Sequence, residues 1–193
     1  MLRQIYDWCV RAADKPYALW VLGAVAFAES SFFPVPPDIM LLPMSLAQPK
    51  RAWLYASVCT AASVLGGVLG YAIGALLYDS LGHWLITLYG LGDKVETFSA
   101  SYAEWGAVII LLKGLTPIPY KLVTITSGFA GYNIWLFILF SIITRGGRFF
   151  IAAILLNRYG EWIRVRVEQN LALAVTSLAI VLVAGFIIAF RLI

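Results

Sequence analysis

The chain has 193 residues, of which 62% are hydrophobic and 12% charged, with a mean hydropathy of +0.87. A soluble domain carries roughly 25% charged residues, so a water-soluble globule is a poor fit and lipid is the predicted solvent for much of the surface. The net charge of +4 comes from basic residues in loops and inside apolar runs, without the basic stripe that nucleic-acid binding needs. Cys9 and Cys59 form no CxxC pair, and one histidine, His83, beside Trp84, reads as an ordinary interfacial residue. No disulfide, metal or cofactor is predicted.

Taken in order, residues 1–15 read as an amphipathic interfacial helix, with Ile5, Trp8, Cys9 and Ala12 on one side and Arg3, Asp7 and Arg11 on the other. Residues 16–48 form two apolar halves separated by Pro34, Pro36 and Pro37, which an uninterrupted helix does not tolerate. The first half, if helical, is about 25 Å long, short of a straight crossing. A re-entrant hairpin that leaves on the side it entered fits best; one kinked span over 17–47 is the alternative. Residues 52–78 are long enough for a full crossing, with Gly66, Gly70 and Gly74 in a small-residue stripe suited to close helix packing, within the chain or in a homodimer. Residues 79–104 read as an amphipathic connector. Residues 105–132 repeat the broken pattern around Pro117 and Pro119. A second crossing, 134–156, is interrupted by Arg145-Gly146-Gly147-Arg148; a turn there is the alternative. A charged loop, 157–170, and a last crossing, 171–190, complete the chain. The predicted fold is a single all-α membrane domain, with two inverted re-entrant hairpins and about three transmembrane helices.

The two proline segments share a pattern. Pro34-Val35-Pro36-Pro37-Asp38 and Pro117-Ile118-Pro119-Tyr120-Lys121 both read P-x-P-x-charge, 83 residues apart. Each has an upstream charge, Glu29 or Lys113. One crossing separates the hairpins, so they enter from opposite faces, as in transporters with inverted repeats. On this topology eight basic residues (Arg3, Arg11, Lys15, Lys50, Arg51, Arg158, Arg164 and Arg166) fall on one side, against Lys94 and Arg191 on the other. The positive-inside rule then places the N-terminus in the cytoplasm.

Six ionisable residues fall at membrane depth: Glu29, Asp38, Lys113, Lys121, Arg145 and Arg148. Each costs about 2.5–3.5 kcal/mol at a helix centre unless it pairs or meets water. The positive surplus suits an anion such as phosphate, and broken helices add free N–H groups. Lys113, Lys121, Arg145 and Arg148 are the candidate phosphate ligands. Glu29 and Asp38 are candidates for proton exchange or a charge switch. The structural alternative is that Glu29 and Asp38 bridge Lys113 and Lys121 and hold the hairpins together.

At these residues the chain resembles the DedA family, also called the SNARE-associated Golgi protein or VTT-domain superfamily, nearest its YqaA-like branch. Glu29-Ser30-Ser31-Phe32-Phe33-Pro34-Val35-Pro36-Pro37-Asp38 matches the family's acid–proline pair–acid segment. Lys113-Gly114-Leu115-Thr116-Pro117-Ile118-Pro119-Tyr120-Lys121, followed by Ser127-Gly128-Phe129-Ala130-Gly131, is similar to its basic–proline–basic segment, with lysines where arginines are common and a longer spacing. The resemblance covers roughly residues 20–160. It implies a bacterial inner-membrane protein that moves undecaprenyl phosphate or phospholipids between leaflets as a flippase or scramblase, an activity that in many members of the family depends on the proton motive force. Lysine in place of arginine offers phosphate a point charge instead of a two-pronged fork. The expected function is therefore lipid translocation without enzymatic chemistry, with membrane lipids and protons as partners. A proton-coupled transporter of a small soluble anion and a non-transporting scaffold are the alternatives. No HExxH or GxSxG motif points to a hydrolase.

Overall fold

The computed structural model describes residues 13, 15, 17–31, 36–82, 86–88, 92–115 and 120–169; at 81, 82, 94, 113–115 and 161–169 it describes the backbone alone. The amphipathic segment 1–12, Pro34, His83, Trp84, Pro117, Pro119 and the predicted crossing 171–190 lie outside the described residues, as does the side chain of Lys113. Among the described residues all regular structure is helical. In order these are α1 (Tyr17–Ser31), α2 (Asp38–Ala47), a 3-10 turn (Pro49–Arg51), α3 (Ala52–Leu77), a π turn (Tyr78–Gly82), α4 (Gly92–Leu115), α5 (Tyr120–Phe129) and α6 (Ile134–Gln169). Helices α2 and α5 begin at 38 and 120, and α3 and α6 at 52 and 134, an offset of 82 in each case. The unit of broken pair followed by long helix therefore occurs twice.

Local chemistry explains the boundaries. Pro37, with φ −65° and ψ −17°, precedes α2 and has no N–H to leave unsatisfied at a helix start. Helix α5 ends in a left-handed turn. Gly131 has φ +65°, Tyr132 N–H donates to Ser127 O at 3.0 Å, and Gly131 N–H donates to Gly128 O at 3.1 Å. Asn133 then starts α6: its Oδ1 accepts from the N–H groups of Trp135 (2.9 Å) and Leu136 (3.2 Å). Replacing that cap, Asn133→Ala, is expected to cost about 1 kcal/mol, read as a lowered unfolding midpoint in detergent.

Helix α3 is the axis of the packing. Among the described residues, two helical runs, Pro49–Ser80 and Ile134–Gly160, are long and apolar enough to cross a membrane. Along α3, Leu65, Leu69 and Leu76 are exposed, and along α6 so are Trp135, Leu139, Ile143, Ile151 and Leu155. The opposite face of α3 is buried. Helix α1 runs parallel to it: Tyr55 OH donates to Ala13 O near the start, Gly23 lies against Val58 and Ala62, and Ser31 Oγ donates to Gly66 O at 3.0 Å. Helix α1 thus stops halfway along α3. Helix α2 returns toward the start of α3, where Gln48 Oε1 lies 3.4 Å from Tyr55 OH.

Helix α5 begins where α1 stops. Tyr120 and Thr124 face Gly67, Ile125 faces Gly74, and Gly128 faces the Tyr71 backbone. Helix α4 lies beside α5, with Tyr102 OH and Ser127 Oγ at 2.8 Å and the Tyr102 and Tyr132 rings 5.7 Å apart. Helix α6 runs antiparallel to α3: Phe137 meets Tyr71, Gly146 meets Thr60, Phe150 meets Trp53, and Asn157 Nδ2 donates to Pro49 O. The two broken pairs approach the middle of α3 from opposite ends.

Three expected boundaries are corrected. The connector 79–104 is not separate from the first half of the second broken pair, because α4 runs unbroken from Gly92 to Leu115. Gly106, within α4, is a packing position: a Cβ there would lie 2.5 Å from Tyr132 Cε2. Arg145-Gly146-Gly147-Arg148 does not interrupt the sixth helix, since both arginines are anchored by partners on other helices. The charged loop 157–170 is helical to Gln169, and Gly160 within it packs on Pro49.

Candidate functional site

Two apolar clusters fill the two ends of the packing. One gathers Leu22, Leu41, Met44, Tyr55, Cys59 and Phe149, and the other Tyr102, Ile110, Tyr120, Val123 and Phe137. Between them, level with the middle of α3, lies a polar layer: Ser30, Ser31, Ser63, Thr124, Ser141, Thr144 and Arg145, all buried. Such a layer is costly in an apolar surround unless every group is satisfied.

Arg145 is its centre and is 1% exposed. Its Nη2 donates to Glu29 Oε2 in an ion pair with α1, and to Ser30 Oγ at 3.3 Å. Its Nε donates to Ser63 Oγ on α3 at 2.7 Å. The guanidinium faces are covered by Tyr120 of α5, 4.7 Å from ring centroid to Cζ, and by Phe149, at 5.0 Å. Proton counting orients the hydroxyls. Each serine has one O–H to donate. Ser30 Oγ donates to Glu29 Oε2 at 3.2 Å, so Ser63 must supply the proton in the 2.5 Å contact between Ser63 Oγ and Ser30 Oγ. Ser63, in turn, accepts from Arg145. The hydrogen bonds form a closed ring whose protons all point toward an ionised Glu29.

A second ion pair lies one turn along α6, where Arg148 Nη2 donates to Asp38 Oδ2 in the first turn of α2. A carboxylate there is favoured by the helix dipole. This pair is open: Arg148 is 34% exposed and Asp38 21%, against 15% for Glu29. The residues three apart on α6 thus reach the two acids of the first broken pair, one enclosed and one accessible. Cys59, buried on α3, lies within electrostatic reach of both Asp38 and Arg145.

The structural alternative of lysine bridges is corrected for Lys121. Glu29 and Asp38 pair with arginines, and the two arginine pairs are the ion pairs found among the described residues. Lys121, in the first turn of α5, is half-buried and has no carboxylate partner among those residues. Of the embedded ionisable side chains that are described, Glu29, Asp38, Arg145 and Arg148 cancel, and Lys121 is left over. The layer also holds residues that charge patterning missed. Ser30, Ser63, Tyr120 and Ser141 carry no charge; Ser63 and Ser141 are hydroxyls within apolar runs, whereas Ser30 and Tyr120 adjoin the charged Glu29 and Lys121. Thr124 Oγ1 donates to Lys121 O at 2.9 Å and lies 3.4 Å from Ser30 O, joining α5 to α1.

The glycine stripe is consumed within the chain. Gly66 faces the Phe27 backbone of α1, while Gly70 and Gly74 face Thr124 and Ile125 of α5. It serves both broken pairs, and none of it is left for a second copy.

The chain is 30% identical over 184 residues, 95% of each chain, to an uncharacterized protein of Haemophilus influenzae. It belongs to the same family as that protein. A second member, an uncharacterized protein of Histophilus somni, is 32% identical over 184 residues, covering 95% of this chain and 96% of the relative. In both comparisons the matched region covers 95% of this chain and so spans α1 through α6. No protein-family model matches the chain, and no solved structure matches it.

Proposed function

We propose that this is a multi-span protein of the bacterial inner membrane, with its N-terminus in the cytoplasm, that moves a phosphate-bearing lipid between leaflets. The observation that carries the reading is the meeting of two broken helix pairs, from opposite ends of α3, at a buried layer of paired opposite charges. In a membrane spanned by α3 and α6, each pair is a re-entrant hairpin and the layer lies near the midplane, where alternating access needs its binding site. The resemblance to the DedA superfamily agrees with this placement and suggests undecaprenyl phosphate or a phospholipid as cargo.

The charges divide the work. Arg148, one-third exposed, and Lys121, without a described acidic partner, meet the phosphate first. Lys113, whose backbone lies in the last turn of α4, is a further ligand. Arg145 becomes available only when Glu29 releases it, through protonation of the carboxylate or competition from the phosphate. Phosphate and carboxylate suit a guanidinium in the same geometry, so a phosphate can take the carboxylate's place on Arg145, with a proton on Glu29 neutralising the displaced acid. The lipid tail stays in the bilayer.

Reconstitution in liposomes tests this with labelled lipid phosphates and, as a separate arm, labelled inorganic phosphate. Arg148→Ala and Lys121→Ala proteins that insert normally are expected to slow lipid crossing at least tenfold. Wild-type rates in both variants would rule out this division of roles. Uptake of inorganic phosphate without lipid crossing would shift the function to soluble-anion transport.

A further inference from the structure

Among the uncharged groups around Arg145, Tyr120 is the one that the second broken pair contributes. It is 2% exposed, at the start of α5, and its hydroxyl donates to Ser141 Oγ on α6. Its ring face lies on Arg145, one turn further along the same helix. Room for the ring comes from Gly67, where a Cβ would sit 3.3 Å from Tyr120 Cε1 and OH. One guanidinium therefore has Glu29 of the first broken pair on its edge and Tyr120 of the second on its face. The two contacts differ in kind. The edge contact needs an ionised carboxylate, whereas the face contact depends on the ring's quadrupole and survives loss of the carboxylate's charge.

We infer that Tyr120 is a positioning residue that clamps Arg145 to the second broken helix pair, so that the arginine stays with α5 when it parts from Glu29. The clamp holds the guanidinium against Glu29 while the pair is intact and ties the two broken pairs together through one side chain. It also decides which half the arginine follows on release. This does not depend on what the protein transports.

Cys59 supplies a reporter, because it is fully buried on α3 one turn from Ser63. In a Cys9→Ser background, the rate of Cys59 modification by N-ethylmaleimide reads the opening of the layer without any transport assay. The expected results are a rate at least tenfold above the parent for Tyr120→Leu and a rate within threefold of the parent for Tyr120→Phe, which keeps the ring face. Stepwise fluorination of a phenylalanine at position 120 preserves shape and weakens the ring's attraction for cations, so the rate should climb with each fluorine. A flat fluorination series, or a folded Tyr120→Leu protein with Cys59 as protected as in the parent, would overturn the clamp. Phe and Leu variants of equal reactivity would overturn it too, by assigning the effect to the hydroxyl.

Discussion

Arg145→Ala is expected to destabilise the folded protein by about 3–5 kcal/mol, because it leaves the Glu29 carboxylate enclosed without its cation. Glu29→Ala should cost a similar amount for the converse reason. The argument rests on enclosure: Arg145 is 1% exposed, and its hydrogen bonds to Glu29, Ser30 and Ser63 form one ring, so removing it disorders them all. Replacing both charges with apolar side chains of similar volume, as in Glu29→Leu/Arg145→Met, should restore most of the loss, since desolvation of the pair offsets much of its attraction. Ser63 and Ser30 still have each other in that variant. The outer pair behaves differently. Asp38 and Arg148 keep contact with their surroundings, and breaking their bridge is expected to cost about 1 kcal/mol or less. Unfolding midpoints in detergent measure all four. Equal costs for the inner and outer pairs would contradict the enclosure argument.

The second large effect concerns the glycines of the central axis. In Gly66→Ala, Gly74→Ala and Gly128→Ala the new methyl group would run into backbone carbonyls, those of Phe27, Ile125 and Tyr71. A side chain can change rotamer, but these helix backbones cannot retreat without shifting a whole element. Each substitution is therefore expected to cost about 3 kcal/mol, the upper end of the range for overpacking. Gly147→Ala is the control. No atom lies within 4 Å of its added Cβ, and a helix interior prefers alanine to glycine, so it should stabilise by about 0.5–1 kcal/mol. A chain in which all four behaved alike would not have the close α1–α3 and α3–α5 packing described above.

Much of this arrangement is legible in the residues themselves. Apolar length marks α3 and α6, and prolines mark the end of α1 and the start of α2. The glycine spacing marks the face of α3 on which others pack. Charges in apolar runs point to Glu29, Asp38, Arg145 and Arg148 before any geometry is known. What the pattern does not carry is the choice of partners. Glu29 and Arg145 are 116 residues apart, and Asp38 and Arg148 are 110 apart. Only the phase of α6 against α1 and α2 brings them together. The repeat itself misleads here. It matches Asp38 with Lys121, but residues matched by an inverted repeat occupy corresponding places in the two halves and need not face each other. The continuity of α6 through two glycines and a charged stretch was hidden for a related reason. Intrinsic propensity disfavours glycine, while the cross-helix partners of Arg145 and Arg148 hold the backbone helical. The hydroxyl ring was missed because serine in an apolar helix is common, and its meaning depends on what stands opposite.

The stability argument gives the functional proposal its most direct test. The Glu29→Leu/Arg145→Met protein should fold, insert and unfold much like the parent, yet lack the charges that a phosphate would exchange with. The measurement is the rate at which labelled polyprenyl phosphate and phospholipid cross liposome membranes holding equal amounts of wild type or this variant, with and without a pH gradient. The account predicts accelerated crossing by the wild type for at least one of these lipids and none above empty liposomes for the variant. Equal acceleration by both proteins would contradict it, and would leave the inner charge pair with no part in moving lipid.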